Sequence, residues 1–81
     1  MSEIPDGVDG IMRALLPRTG FYVPDDILGM WFPPGVAAGI IDNAARRAAE
    51  GYGAKFDCRF WYFPERKAGC FAKKSKSQDS N

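Results

Sequence analysis

Between Pro5 and Leu16 the apolar residues Val8, Ile11, Met12, Leu15 and Leu16 recur at intervals of three and four, the stripe of a short amphipathic helix. Gly7 and Gly10 weaken that helix and Pro17 ends it. The trio Phe21-Tyr22-Val23, held between Gly20 and Pro24, reads as one short strand. Pro24-Asp25-Asp26 then reads as a helix opening, because proline suits the first turn and carboxylates favour the positive end of the helix dipole. That helix is expected to run through Trp31. Pro33-Pro34-Gly35 interrupts the chain, since neither proline can donate a backbone hydrogen bond and each restricts the residue before it.

From Val36 to Glu50 the spacing predicts a longer helix, with Ala37, Ile40, Ile41, Ala44 and Ala48 on its packed side. Gly39, Asp42, Asn43, Arg46 and Glu50 fall on the opposite side with Arg47 near the edge, and Asp42 with Arg46 and Arg46 with Glu50 are favourable i,i+4 pairs. The Gly51-Tyr52-Gly53 cluster is expected to stop it. Lys55 to Phe63 alternates as a strand does. Phe56, Cys58, Phe60 and Tyr62 should face the core, and Arg59, Trp61 and Phe63 should face away. Residues 64–69 form a charged hairpin loop and Cys70 to Lys73 the return strand. The expected architecture is α+β: three helices and a C-terminal β-hairpin in one domain over residues 1–74, followed by a flexible polar tail over 75–81.

Composition narrows what such a domain can do. With 81 residues, 46% hydrophobic, the chain can build one small core. Met1 to Gly10 holds three acids and neither a basic nor an apolar leader segment, and no apolar stretch is long enough to span a bilayer, so a cytoplasmic protein is expected. Cys58 and Cys70 are too few for a disulfide framework and read as free thiols; a tight hairpin would set Cys70 opposite Tyr62 or Phe63, away from Cys58. The formal net charge of +1 conceals an asymmetry: residues 1–28 carry a net −3 and residues 51–81 a net +4. The basic C-terminal third is a candidate polyanion contact.

Catalysis has little to work with. The chain has no histidine, its one threonine is Thr19, and Ser2, Ser75, Ser77 and Ser80 lie near its ends, so no nucleophile has an evident base. The expectation is therefore no enzyme, no cofactor and no metal, two lone cysteines being a weak ligand set.

Helix, short strand, short helix, tight turn, longer helix and hairpin is an order that resembles the winged helix-turn-helix family over residues 5–74, although Pro33-Pro34-Gly35 replaces the family's usual turn. The resemblance implies a DNA-binding regulator of transcription whose third helix enters the major groove while the wing touches the backbone or minor groove. Asn43, Arg46 and Arg47 would then reach bases or phosphates from the helix, and Arg66, Lys67, Lys73 and Lys74 would surround the wing. A second reading takes Trp31, Phe32, Trp61 and Phe63 as more large apolar surface than one small core can hide. That surface suits a protein contact, as in small phage-type or mobile-element modulators of a host protein, which the chain resembles in size and character. Base stacking on Phe60-Trp61-Tyr62-Phe63 between Arg59 and Arg66 is a third, weaker option.

Overall fold

Four aromatic rings, Phe21, Phe32, Tyr52 and Phe60, close on Phe71 with centroids 5.0–6.2 Å away in the computed structural model, which describes residues 4–74. They come from distant parts of the chain. Its elements are α1 (Asp6–Ala14), β1 (Gly20–Pro24), α2 (Asp25–Trp31), β2 (Val36–Ala37), β3 (Ile40–Ile41), α3 (Asn43–Ala54), β4 (Cys58–Phe63) and β5 (Ala68–Lys73), with a 3-10 turn over Pro64–Arg66 between the last two. Three helices and an antiparallel sheet make an α+β domain, as the sequence pattern implies. No helix among the described residues is long and apolar enough to cross a membrane. The tail expected over 75–81 lies outside the described residues.

The sheet is larger than the expected hairpin. β1 pairs antiparallel with β5, giving the order β1-β5-β4, so strands distant in sequence interleave and the element order is not the plain winged-helix one. Alternation along the strands divides the sheet into two faces. Phe21, Phe71 and Phe60 lie abreast on the covered face, and Tyr22, Cys70 and Trp61 lie abreast on the other. The sidedness expected for Phe56, Cys58, Phe60 and Tyr62 holds: the first three are buried and Tyr62 is half-buried. Cys70 sits opposite Trp61, one place from its expected partner, while Cys58 pairs with Lys73, and both thiols are free.

The long helix expected from Val36 to Glu50 is corrected at both ends. After Gly35 the chain is extended, and Ala38 and Gly39, with φ of 53° and 77°, turn it into a hairpin that pairs Val36 with Ile41 and Ala37 with Ile40. Positive φ at both central residues is what a two-residue hairpin turn needs. α3 begins only at Asn43, where the Ala44 backbone N–H donates to the Asp42 carboxylate at 2.8 Å, an N-cap. It then runs through the glycines that were expected to stop it. Gly53 is there for packing: a Cβ would lie 3.2 Å from the Phe71 ring. The buried face is accordingly Ala45, Ala49 and Gly53, one residue out of phase with the expected Ala44 and Ala48.

α1 buries Val8 and Met12 from its stripe and leaves Ile11 exposed; it ends at Ala14, so Leu16, expected in the helix, lies beyond it and is exposed too. α2 keeps its expected bounds, and buries Leu28 and Trp31. The second hairpin, β2 with β3, stands between α2 and α3. Its tip approaches the turn after β4, a Cβ on Gly39 lying 3.8 Å from the Pro64 carbonyl.

Candidate functional site: helix α3, the turn after β4 and the groove between them

β5 leaves the turn at Ala68, opposite Phe63 and Pro24, so the turn, the start of α2 and the tip of the β2–β3 hairpin share one end of the sheet. The Asp25 backbone N–H donates to the Lys67 carbonyl at 3.0 Å and the Tyr62 hydroxyl donates to the Asp25 carboxylate at 2.8 Å, tying turn to helix. Burial, then this hydrogen bond to Asp25, pushes the Tyr62 hydroxyl up to about 12. Lys67 adopts the left-handed conformation, φ 51°, that lets the chain reverse into β5.

The first turns of α3 border this end. Asn43, Arg46 and Arg47 are all exposed, as the sequence reading requires, and Asn43 Oδ1 accepts a hydrogen bond from Arg46 Nη2 at 3.0 Å. Asp42 is used as the cap and Arg46 bonds Asn43, which replaces the i,i+4 pairing expected between them. Arg47 is flanked on the solvent side by Ala44, Ala48 and Gly51, all small and exposed.

Of the four cations assigned to the wing, two belong there. Lys67 lies in the turn, and the Arg66 guanidinium stacks 5.5 Å above the Tyr22 ring, which turns it toward the open face of the sheet. Lys73 and Lys74 are corrected: they lie at the opposite end of β5, where Lys73 pairs with Cys58 and the Lys74 N–H donates to the Asp57 carbonyl. Lys73 is five residue steps along the strand from Ala68, roughly 17 Å at the rise of a β-strand. A return strand carries its last residues away from its turn, a consequence that linear proximity hides.

Between α3, the β2–β3 hairpin and β4 runs a groove of about 470 Å³, bordered by Ile40, Arg46, Glu50 and Trp61. Ile40 is 72% exposed and Trp61 45% exposed. Of the four aromatics proposed for a protein contact, Trp61 is therefore available and Phe63 is half-buried against Tyr22, ring centroids 5.9 Å apart. Trp31 and Phe32 are corrected, being only 9% and 2% exposed, because the last residue of α2 and the one that caps it both turn into the core. Ile40 was missed: counted as helix, it fell on the packed side, whereas the hairpin turns it outward.

Burial pushes both cysteine thiols up, so each stays protonated at neutral pH, the opposite of an activated nucleophile. Among the described residues no three His, Cys, Asp or Glu side chains come together as a metal site. No family model, curated protein or solved structure matches the chain.

Proposed function

We propose that this chain is a small double-stranded DNA-binding protein of the winged helix-turn-helix kind, acting in the cytoplasm as a transcriptional regulator. The observation that carries the reading is the shared end: Arg46, in the exposed first turns of α3 and hydrogen-bonded to Asn43, borders the same groove as Pro64, which opens the turn holding Arg66 and Lys67. The additions to the plain element order do not cover α3, whose small outer residues Ala44, Ala48 and Gly51 let its backbone come close to a groove wall. Arg47 is best placed to read a base edge or grip a phosphate, Asn43 and Arg46 stand beside it as one hydrogen-bonded unit, and the turn adds a backbone contact.

Carboxylates are also present at this end: Asp25, Asp26, Asp42, Glu50 and Glu65. Asp25 and Asp42 are occupied by Tyr62 and Ala44, but their charge remains. A modest salt dependence follows. Affinity for a mixed-sequence duplex measured across a salt series should fall with a log–log slope no steeper than about −4, the four cations at this end each contributing about −0.9. Arg47→Ala combined with Arg66→Ala should remove most of the binding. Absence of any binding at about 50 mM salt would end the DNA reading.

A second reading rests on the groove. On this reading Ile40 and Trp61, which face one groove, make a protein contact, and the chain modulates a host protein of the kind phage-encoded inhibitors target. Trp61→Ala separates the two: it should abolish a protein contact and leave duplex affinity nearly unchanged.

A further inference from the structure

At the end of the sheet remote from the turn, a cleft of about 350 Å³ is lined by Asp9, Arg13, Lys55, Phe56, Asp57 and Lys73. Its three cations come from three elements: the last turn of α1, the C-cap of α3 and the end of β5. They are positioned by what they touch. The Arg13 guanidinium lies 5.6 Å from the centre of the Phe56 ring and the Lys55 ammonium 5.6 Å from that of Tyr52. Those two rings meet edge to face at 5.2 Å, so the two cations ride on one aromatic pair. Lys73 Nζ donates to the Phe56 carbonyl at 2.8 Å, which leaves two of its three ammonium hydrogens for another acceptor.

The Arg18 N–H donates to the Lys73 carbonyl and the Lys74 N–H to the Asp57 carbonyl, so the backbone of both residues is tied to residues that line the cleft. Against the three cations of the cleft stand two carboxylates. Asp9 accepts the Tyr52 hydroxyl at 2.6 Å, a bond that, after burial, raises the Tyr52 pKa; Asp57 sits in a left-handed turn at φ 58°. Cations remain in excess at the mouth.

We propose that this cleft is a phosphate-binding site formed by Arg13, Lys55 and Lys73. A guanidinium fork beside two ammonium groups suits an oxyanion carrying two or more negative charges and several acceptor oxygens. The volume admits a phosphate together with the group attached to it. The ligand is either a free phosphate compound or the backbone of a nucleic acid, and the site stands independently of how α3 is used.

The test is a ¹H–¹⁵N titration of the full chain with inorganic pyrophosphate, at ionic strength held constant with sodium chloride. Saturable shifts confined to the amides of Arg13, Lys55, Asp57, Lys73 and Lys74 are expected. Lys55→Glu should weaken the binding by at least about tenfold, the scale of one charge-assisted contact. Arg66→Gln, at the far end of the sheet, should leave it unchanged. Arg13→Gln serves as the second variant if the Lys55 variant loses its folded spectrum. A DNA duplex that displaces pyrophosphate from these amides identifies the source as a nucleic-acid backbone, and pyrophosphate binding that the duplex does not disturb identifies a free phosphate ligand. Shifts that grow linearly, scatter over the surface, or survive both cleft variants overturn the proposal.

Discussion

The two faces of the three-stranded sheet are built from similar residues and meet different fates. One carries Phe21, Phe60 and Phe71 abreast and is covered by the helices; the other carries Tyr22, Cys70 and Trp61 abreast, with Tyr22 and Trp61 left substantially in water. Aromatic content alone therefore does not say which face is core. What separates them is the centre strand: on the covered side it presents Phe71 and Gly69, and Gly69 leaves room for the Phe60 ring and Leu28. On the open side it presents Ala68, Cys70 and Ala72, which form a low floor between taller neighbours on β1 and β4. A face with a bulky centre and a notch for its neighbours interlocks with helices, whereas a face with a low centre offers them little to grip.

Removing the bulk on the covered face should have the largest effect. Phe71→Ala empties the point at which four rings meet and should cost about 3–5 kcal/mol, read as a fall in the urea midpoint at unchanged slope. A slope that changes as well would mean that the core reorganises when the ring is removed. Filling the notch comes next: in Gly69→Ala the new Cβ would stand 2.6 Å from Phe60 Cε1 and 3.1 Å from Leu28 Cδ2, an overpacking worth about 1–3 kcal/mol. An alanine tolerated there without loss would show that the two faces do not differ in the way described.

The edge of the covered face gives a smaller, pH-dependent effect. Tyr62→Phe removes the hydroxyl that donates to Asp25 and should cost about 1 kcal/mol at neutral pH. The folded protein holds that proton to about pH 12 while an unfolded chain releases it near 10.0, so the contribution is complete below pH 10 and is lost as pH rises toward 12. The stability difference between the native chain and Tyr62→Phe, followed by urea unfolding, should therefore close over that window. A gap that stays constant through pH 12 would exclude the hydroxyl as its source. The smallest effect belongs to the open face. Trp61→Ala should change stability by less than about 1 kcal/mol, because much of the indole is already in water. A larger loss would make Trp61 part of the core and remove it from any interface.

Much of this could be read along the chain, and what failed did so for identifiable reasons. α2 was legible because Pro24-Asp25-Asp26 carries its start signal locally, and the two sides of β4 were legible because alternation is a local property. The boundary of α3 was misread because Ala37, Ile40, Ile41, Ala44 and Ala48 satisfy the helical period although the first three lie in a hairpin; over so few residues, apolar spacing does not separate the two structures. Asp42, placed within the helix as a partner of Arg46, is instead the residue that caps its start. Of the proposed DNA-facing residues, those on α3 and in the turn sit at one end, whereas Lys73 and Lys74 sit at the other, a separation that follows from strand direction.

By itself the sequence determined the α+β class, the three helices, the C-terminal hairpin and the alternation of β4, all consequences of spacing within a dozen residues or fewer. Only the tertiary structure decided that β1 completes the sheet on β5, that Trp31 and Phe32 are core while Ile40 and Trp61 face a groove, and that Arg13, Lys55 and Lys73 converge on one cleft. The reason is physical: local spacing specifies which face a side chain takes on its own element, but whether that face is covered, and which charges gather beside it, depends on contacts between segments far apart in the chain.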